Sequence, residues 1–127
     1  MRAIPTNDFV DRVYDDVIQF GNLLGMDLKF PYTVESLCKE LGMEEVQTVV
    51  TDSLETPEII AKTRAVACSW YLDCLNDLVP MYMPILKGLR KEEALVKRDE
   101  LIKSLKRIYA GGVTPGMTMV RIVAKKR

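Results

Sequence analysis

Three pairs of carboxylates are spaced closely enough to act together: Asp11 with Asp15, Asp73 with Asp77, and Glu55 with Glu58. Facing acid pairs on helices hold magnesium in all-α nucleotide pyrophosphohydrolases, as a Glu-x-x-Glu helix opposite a Glu-x-x-Asp helix. Here Glu55-Thr56-Pro57-Glu58 straddles a helix start, and Asp73 and Asp77 have the wrong spacing. These acids are therefore expected to be solvated helix faces. The chain has no histidine. That removes Ser-His-Asp and Cys-His catalysis and most zinc sites. Lysine could still serve as a base, but no Ser-x-x-Lys context supports it. Cys68 and Cys74 are six residues apart on an expected helix, about 240° around its axis, so they do not pair around a metal. With Cys38 they make an odd count of three. That count, with no signal peptide visible, fits free packing thiols in a reducing compartment. Gly111-Gly112-Val113-Thr114-Pro115-Gly116 follows a helix, whereas a phosphate-cradling loop precedes one and ends in Lys-Ser/Thr. The expectation is a chain without catalytic residues, metal or cofactor, and not an enzyme.

Residues 33–54 have the Leu37, Leu41-Gly42 and Val46–Val50 spacing of a helix-turn-helix. The would-be recognition helix carries Glu44, Glu45, Asp52 and Glu55 and no Lys or Arg. Acids repel phosphates, and base edges are read by Arg, Lys, Asn or Gln, of which only Gln47 is present. Sequence-specific DNA binding is disfavoured.

The formal net charge is zero, but it is unevenly distributed. Residues 1–60 hold four basic and twelve acidic groups, a balance of −8, and residues 61–127 hold fourteen basic and six acidic groups, a balance of +8. Either the halves interleave and neutralise each other within the fold, or an acidic face of one copy meets a basic face of another. The second arrangement is head-to-tail and yields rings or filaments.

The apolar periodicity predicts a mainly α protein. A first helix runs from Asp8 to Leu24, capped by Thr6 or Asn7 and stopped by Gly25. A short helix follows from a Thr33 cap to Gly42, then a second from Glu44 to about Ser53, weakened by its β-branched residues. Thr56-Pro57-Glu58 starts a long central helix, with Ile59, Ile60, Val66, Ala67, Trp70, Cys74 and Leu78 at core spacing. Pro80 is expected to end it. Lys91–Ala110 forms the last helix, with Leu95, Leu101, Leu105, Ile108 and Tyr109 inward and Gly111-Gly112 as its stop. The whole reads as a small helical bundle with long central and C-terminal helices and an extended C-terminal tail. The bundle covers residues 1–112 and the basic tail residues 113–127.

Two segments remain without a partner. Leu78–Leu86 is an apolar connection, either folded over the core or left as a sticky surface at Met81, Tyr82 and Met83. It is far too short to span a bilayer. The tail carries a β-prone stretch: Met117, Met119, Val120, Arg121, Ile122 and Val123, then Lys125, Lys126 and Arg127. A lone strand needs an edge to pair with. It has Met26–Phe30 of its own chain, or another chain through strand addition.

The stretch Thr56-Pro57-Glu58-Ile59-Ile60-Ala61-Lys62-Thr63-Arg64-Ala65-Val66-Ala67-Cys68-Ser69-Trp70-Tyr71-Leu72 resembles the central helix of small head–tail connector (adaptor, or head-completion) proteins of tailed bacteriophages. Leu105-Lys106-Arg107-Ile108-Tyr109-Ala110-Gly111-Gly112-Val113 is similar to the step that ends the family's last helix. Tyr32-Thr33-Val34-Glu35-Ser36-Leu37 is similar to an opening found in some members. The likeness covers roughly half the chain. The first helix, Asp8–Leu24, is an addition to the simplest family pattern. The resemblance implies a structural virion neck protein that forms a homo-oligomeric ring, commonly of twelve copies, between portal and tail. Its tail and apolar loop would contact the portal, a neighbouring copy or further neck and tail proteins. DNA would pass through the ring without sequence-specific contact. The expected location is the virion, and the host cytoplasm during assembly. The alternative is a small helical regulatory or interaction domain, with helix-turn-helix nucleic-acid binding as one form of it.

Overall fold

The computed structural model describes residues 3–26 and 30–126. In chain order the elements are β1 (Ala3–Ile4), α1 (Asp8–Leu23), α2 (Phe30–Glu40), β2 (Glu44–Asp52), α3 (Pro57–Lys87), α4 (Lys91–Ala110), β3 (Thr114–Pro115) and β4 (Thr118–Lys125). The protein is mainly helical, as its periodicity predicts, with α3 and α4 the long helices.

Local chemistry explains most of the boundaries. Asn7 is the α1 N-cap, its side-chain oxygen accepting the Val10 amide at 3.1 Å. Thr56 does the same for α3, accepting from the Ile59 amide at 3.2 Å, with Pro57 at the first helical position. Such caps satisfy N–H groups that have no partner inside the helix. Gly88 has φ +66 and turns the chain sharply between α3 and α4, a conformation that costs a residue with a Cβ. The short connection at 88–90 makes α3 and α4 an antiparallel hairpin, with Ala67 and Ala94 fully buried.

The central helix is longer than expected. It passes through Pro80 and Pro84 to Lys87, and the Leu78–Leu86 segment is helix and not loop. Each proline removes one i→i−4 hydrogen bond, and a proline in a helix interior costs about 3 kcal/mol. Burial offsets this. Leu75, Val79 and Tyr82 are buried, and Leu78, Met83 and Leu86 pack against the same core. Each full burial contributes about 1.5–3 kcal/mol, so the apolar face outweighs the cost of the two prolines.

The core joins α1 (Val10, Val13, Phe20), α3 (Leu75, Val79, Tyr82) and α4 (Leu101, Leu105, Tyr109). Phe20 and Tyr82 lie with ring centroids 6.2 Å apart. Lys87 and Asp16 link α3 to α1 at 3.2 Å on the same flank. Two expected core residues are exposed, Val66 at 65% and Trp70 at 50%. The helix face that meets α4 runs through Ala67 instead.

The second short helix is also corrected. Glu44–Asp52 is a strand, and it pairs antiparallel with β4. Five of its nine residues are β-branched (Val46, Thr48, Val49, Val50, Thr51), which favours the pleated conformation over the helix. The short helix before it also starts earlier than expected. Phe30 opens it, Pro31 falls in its first turn, and Thr33 donates its hydroxyl to the Phe30 carbonyl at 2.8 Å instead of capping. Gly42, with φ +84, does turn the chain into β2.

Candidate functional site

The acidic strand β2 and the basic strand β4 form a two-stranded ribbon. The register pairs Glu44 with Lys125, Gln47 with Val123, Val49 with Arg121 and Asp52 with Thr118. An irregularity between Glu44 and Gln47 includes Glu45, whose φ is +51. The ribbon is thus one place where the two charge halves of the sequence interleave.

One helix, α2, lies against both strands. Thr48 donates its hydroxyl to Glu35 at 2.8 Å, and Lys39 holds the other carboxylate oxygen at 3.3 Å. These partners, the Thr48 hydrogen bond first, hold the Glu35 carboxyl below the ordinary glutamate range. Yet α2 has no buried residue. Phe30 (52%), Tyr32 (53%) and Leu41 (70%) remain exposed. On the ribbon, Val49, Val50, Met119 and Val123 are exposed too. The α2–ribbon module has almost no core of its own.

Its anchorage to the bundle is by contrast specific. The Ser53 amide donates to the Met117 carbonyl at 2.9 Å, and the Met117 amide donates back to the Ser53 hydroxyl at 2.6 Å. Ser53 is buried, as are Leu54, Thr114 and Pro115. Arg64 and Tyr71 stand two turns apart on α3 and hold the chain that leaves α4. The Arg64 guanidinium donates to Thr114 Oγ1 at 3.1 Å and to the Tyr109 carbonyl, and reaches the Val113 carbonyl at 3.5 Å. Tyr71 donates to the Gly116 carbonyl at 2.6 Å. Burial pushes the Tyr71 hydroxyl up to about 12. The Gly111-Gly112 step is therefore followed by a clamped segment.

Two clefts meet at Trp70 and Tyr71. One, of about 320 Å³, is walled by apolar side chains of α1, α3 and α4, including Val13, Val17, Leu75 and Leu78. The other, of about 380 Å³, lies where the module adjoins the bundle, between Tyr32, Asp52, Trp70 and Met117. Among the described residues no group of three or more His, Cys, Asp or Glu could hold a metal ion. Asp73 and Asp77 are exposed on α3, and Glu55 and Glu58 are exposed around its start. The three cysteines are half-buried and free. Burial raises the thiols of Cys68 and Cys74. Among the described residues no helix is long and apolar enough to cross a membrane.

The structure distributes the expected contact residues over two places. Met117 lies at the ribbon's base. Met119, Val120, Arg121, Ile122, Val123 and Lys125 lie on β4, with Lys126 just beyond, and Arg127 is outside the described residues. The strand pairs with Glu44–Asp52 of its own chain; the expected Met26–Phe30 segment lies partly outside the described residues. Met81, Tyr82 and Met83 sit on α3: Met81 is exposed, Met83 is half-buried, and Tyr82 is sealed in the core at 0% exposure. Residues 33–54 are a helix followed by a strand, so the second helix of a helix-turn-helix is not built. Sequence reasoning missed Arg64 and Tyr71. Their seven-residue spacing on one helix face was the available signal, but their partners are mostly backbone carbonyls, which no side-chain pattern announces. No protein-family model, no curated protein and no solved structure matches the chain.

Proposed function

We propose that this chain is a structural adaptor of a virion neck, a subunit that assembles as a ring between portal and tail. The observation that carries this reading is the α2–ribbon module. An isolated two-stranded sheet is marginal in water, and three or more strands or a packed face are needed for independent stability. Here the covering helix buries none of its own residues, and its aromatic side chains stay exposed. Such a surface suits a protein whose working state is an assembly, because exposed apolar patches mark interaction sites. The resemblance of Thr56–Leu72 and of Leu105–Val113 to head–tail connectors supports the same reading. The partners are further copies, the portal and other neck or tail proteins. DNA passing through the ring would meet basic side chains such as Lys103, Lys106 and Arg107, exposed on α4, without sequence preference.

The test is co-expression of the full chain with the portal protein encoded beside it, followed by native mass spectrometry. A complex with several copies of the chain bound to the portal ring is expected. A chain that remains monomeric at millimolar concentration, and again in the presence of that portal, refutes the assembly reading.

A further inference from the structure

Among the described residues the ribbon leaves both of its edges open: its sheet contains only β2 and β4, and α2 lies against both strands and adds no third one. The Ser53 amide bond to Met117 fixes the phase of the ladder. Hydrogen-bonded and non-hydrogen-bonded pairs alternate along antiparallel strands. Thr51 with Met119 and Val49 with Arg121 therefore exchange bonds inside the ribbon. Thr48 and Val50 turn their amides and carbonyls out along the β2 edge, and Asp52 turns out its amide, its carbonyl being taken by the Glu55 amide at 3.2 Å. Thr118, Val120 and Ile122 turn both groups out along the β4 edge. The devices that usually blunt an edge are a bulge, a lysine or a proline. The bulge here is at Glu45 and the lysines are at Lys125 and Lys126, all at one end of the ribbon. Residues 47–52 and 118–123 contain no proline and keep regular pairing.

The two edges have opposite signs. The β2 strand carries Glu44, Glu45 and Asp52 and no base, whereas β4 and its flank carry Arg121, Lys125 and Lys126 and no acid. Joining two β2 edges antiparallel would bring the Glu44–Glu45 end of one towards Asp52 of the other. Joining two β4 edges would line the junction with Arg121 and Lys125 from both copies and no acid to meet them. Like charges opposite one another destabilise a strand pair. A β4 edge against a β2 edge brings unlike charges together. It also reproduces a pairing that this sequence already makes, with Glu44 opposite Lys125. For copies of the same orientation that junction is antiparallel, since β2 and β4 already run in opposite directions. The incoming strand is already extended, so little conformational entropy is lost on joining.

We propose that copies of this chain join head to tail through their ribbons, the β4 edge of one receiving the β2 edge of the next in the register used within the chain. The occupant of each open edge is thus a second copy, and the resulting sheet alternates β2 and β4 around the assembly. This inference rests on the assembly reading above and names its contact. A heterologous junction of this kind has no two-fold stopping point, so it continues until rotation closes a ring.

The test uses two full-length variants, Val50→Pro and Val120→Pro. Each removes an outward amide from one edge and no hydrogen bond from within the ribbon, a place where edge strands tolerate proline. Native mass spectrometry is expected to show wild-type oligomers, and each variant alone as a monomer. A one-to-one mixture is expected to give a heterodimer and nothing larger, because only one compatible pair of edges remains. Homodimers of either variant would overturn the head-to-tail geometry. Variants that assemble as wild type does would overturn the edge contact while leaving the assembly reading intact. A wild-type chain that never assembles removes both. Hydrogen exchange provides a measurement free of substitutions. Amides 48, 50, 52, 118, 120 and 122 should exchange fast in dilute monomer and gain protection on assembly, whereas amides 49, 51, 119 and 121 should be protected in both. Unchanged exchange of the outward set on assembly would equally overturn the proposal.

Discussion

Arg64 does more for this architecture than its place on an apolar helix suggests. One guanidinium gathers Thr114 and two carbonyls at the point where the chain leaves α4. Hydrogen bonds to a charged group contribute about 1.5–3 kcal/mol, while the Tyr109 carbonyl keeps the Gly112 amide when the donor goes. Arg64→Ala is expected to lower stability by about 2–4 kcal/mol, read as the midpoint of urea unfolding. Arg64→Lys should recover only part, since an ammonium cannot span the three acceptors as a planar fork does. Tyr71→Phe, which loses a single neutral bond to Gly116, should cost about 0.5–1.5 kcal/mol. Tyr71 also predicts an alkaline limit. Burial disfavours its phenolate and raises its pKa to about 12, and it raises that of Tyr82 to about 12 as well. The folded protein keeps protons that the unfolded chain gives up near pH 10. The contribution is therefore full below about pH 10 and is lost as pH rises through about 12. Chemical denaturation at stepped alkaline pH should show this fall, and it should be smaller in Tyr71→Phe.

At the scale of elements, what was legible followed from what the local code can specify. The starts of α1 and α3 were readable because capping is local: Asn7 and the Thr56-Pro57 pair act within one turn. The stretch 44–52 was misread because Leu37, Leu41, Val46 and Val50 suggested a helix pair. The density of β-branched residues in it was the better signal, and the strand that completes its sheet lies some seventy residues later. The end of α3 was misplaced because proline is a local stop, whereas the burial of Val79 and Tyr82 that overrides it is tertiary. The same conflict makes a prediction. Pro84→Ala restores an amide that can reach the Pro80 carbonyl, and should raise stability by about 1–3 kcal/mol by thermal unfolding. The α2–ribbon contact responds to acid. Glu35 is depressed chiefly by its Thr48 bond and then by Lys39. Its contribution is present above the ordinary glutamate value of about 4.3 and is lost as pH falls through the lower folded value. Protection of the α2 amides, taken against their intrinsic exchange rates at each pH, should fall below about pH 4, before the bundle loosens, and Thr48→Val should remove much of that difference.

For the whole molecule, the charge split that first suggested two opposed faces turns out to be partly spent inside the chain. Asp16 meets Lys87 across α1 and α3, and the acidic β2 runs beside the basic β4. What remains unsatisfied is strand edge, which lies in the α2–ribbon module together with about half of the large exposed apolar side chains. Core residues lie on β1, α1, α3 and α4, with Val113 packed against them, and none lies on α2, β2 or β4. Two truncations should therefore behave differently. A chain ending at Met117 keeps Thr114, Pro115 and the Arg64 and Tyr71 contacts, so its bundle should melt within a few degrees of the full protein while losing assembly. A chain ending at Gly112 removes the buried Thr114 and Pro115 and strips Arg64 and Tyr71 of Thr114, Val113 and Gly116. At about 3–6 °C per kcal/mol for a domain of this size, losing that set should lower its melting temperature by well over 10 °C. Circular dichroism on both chains checks the difference. Equal melting temperatures would mean that the segment after α4 contributes nothing to the bundle, and that Arg64 and Tyr71 hold a strand which does not support them in return.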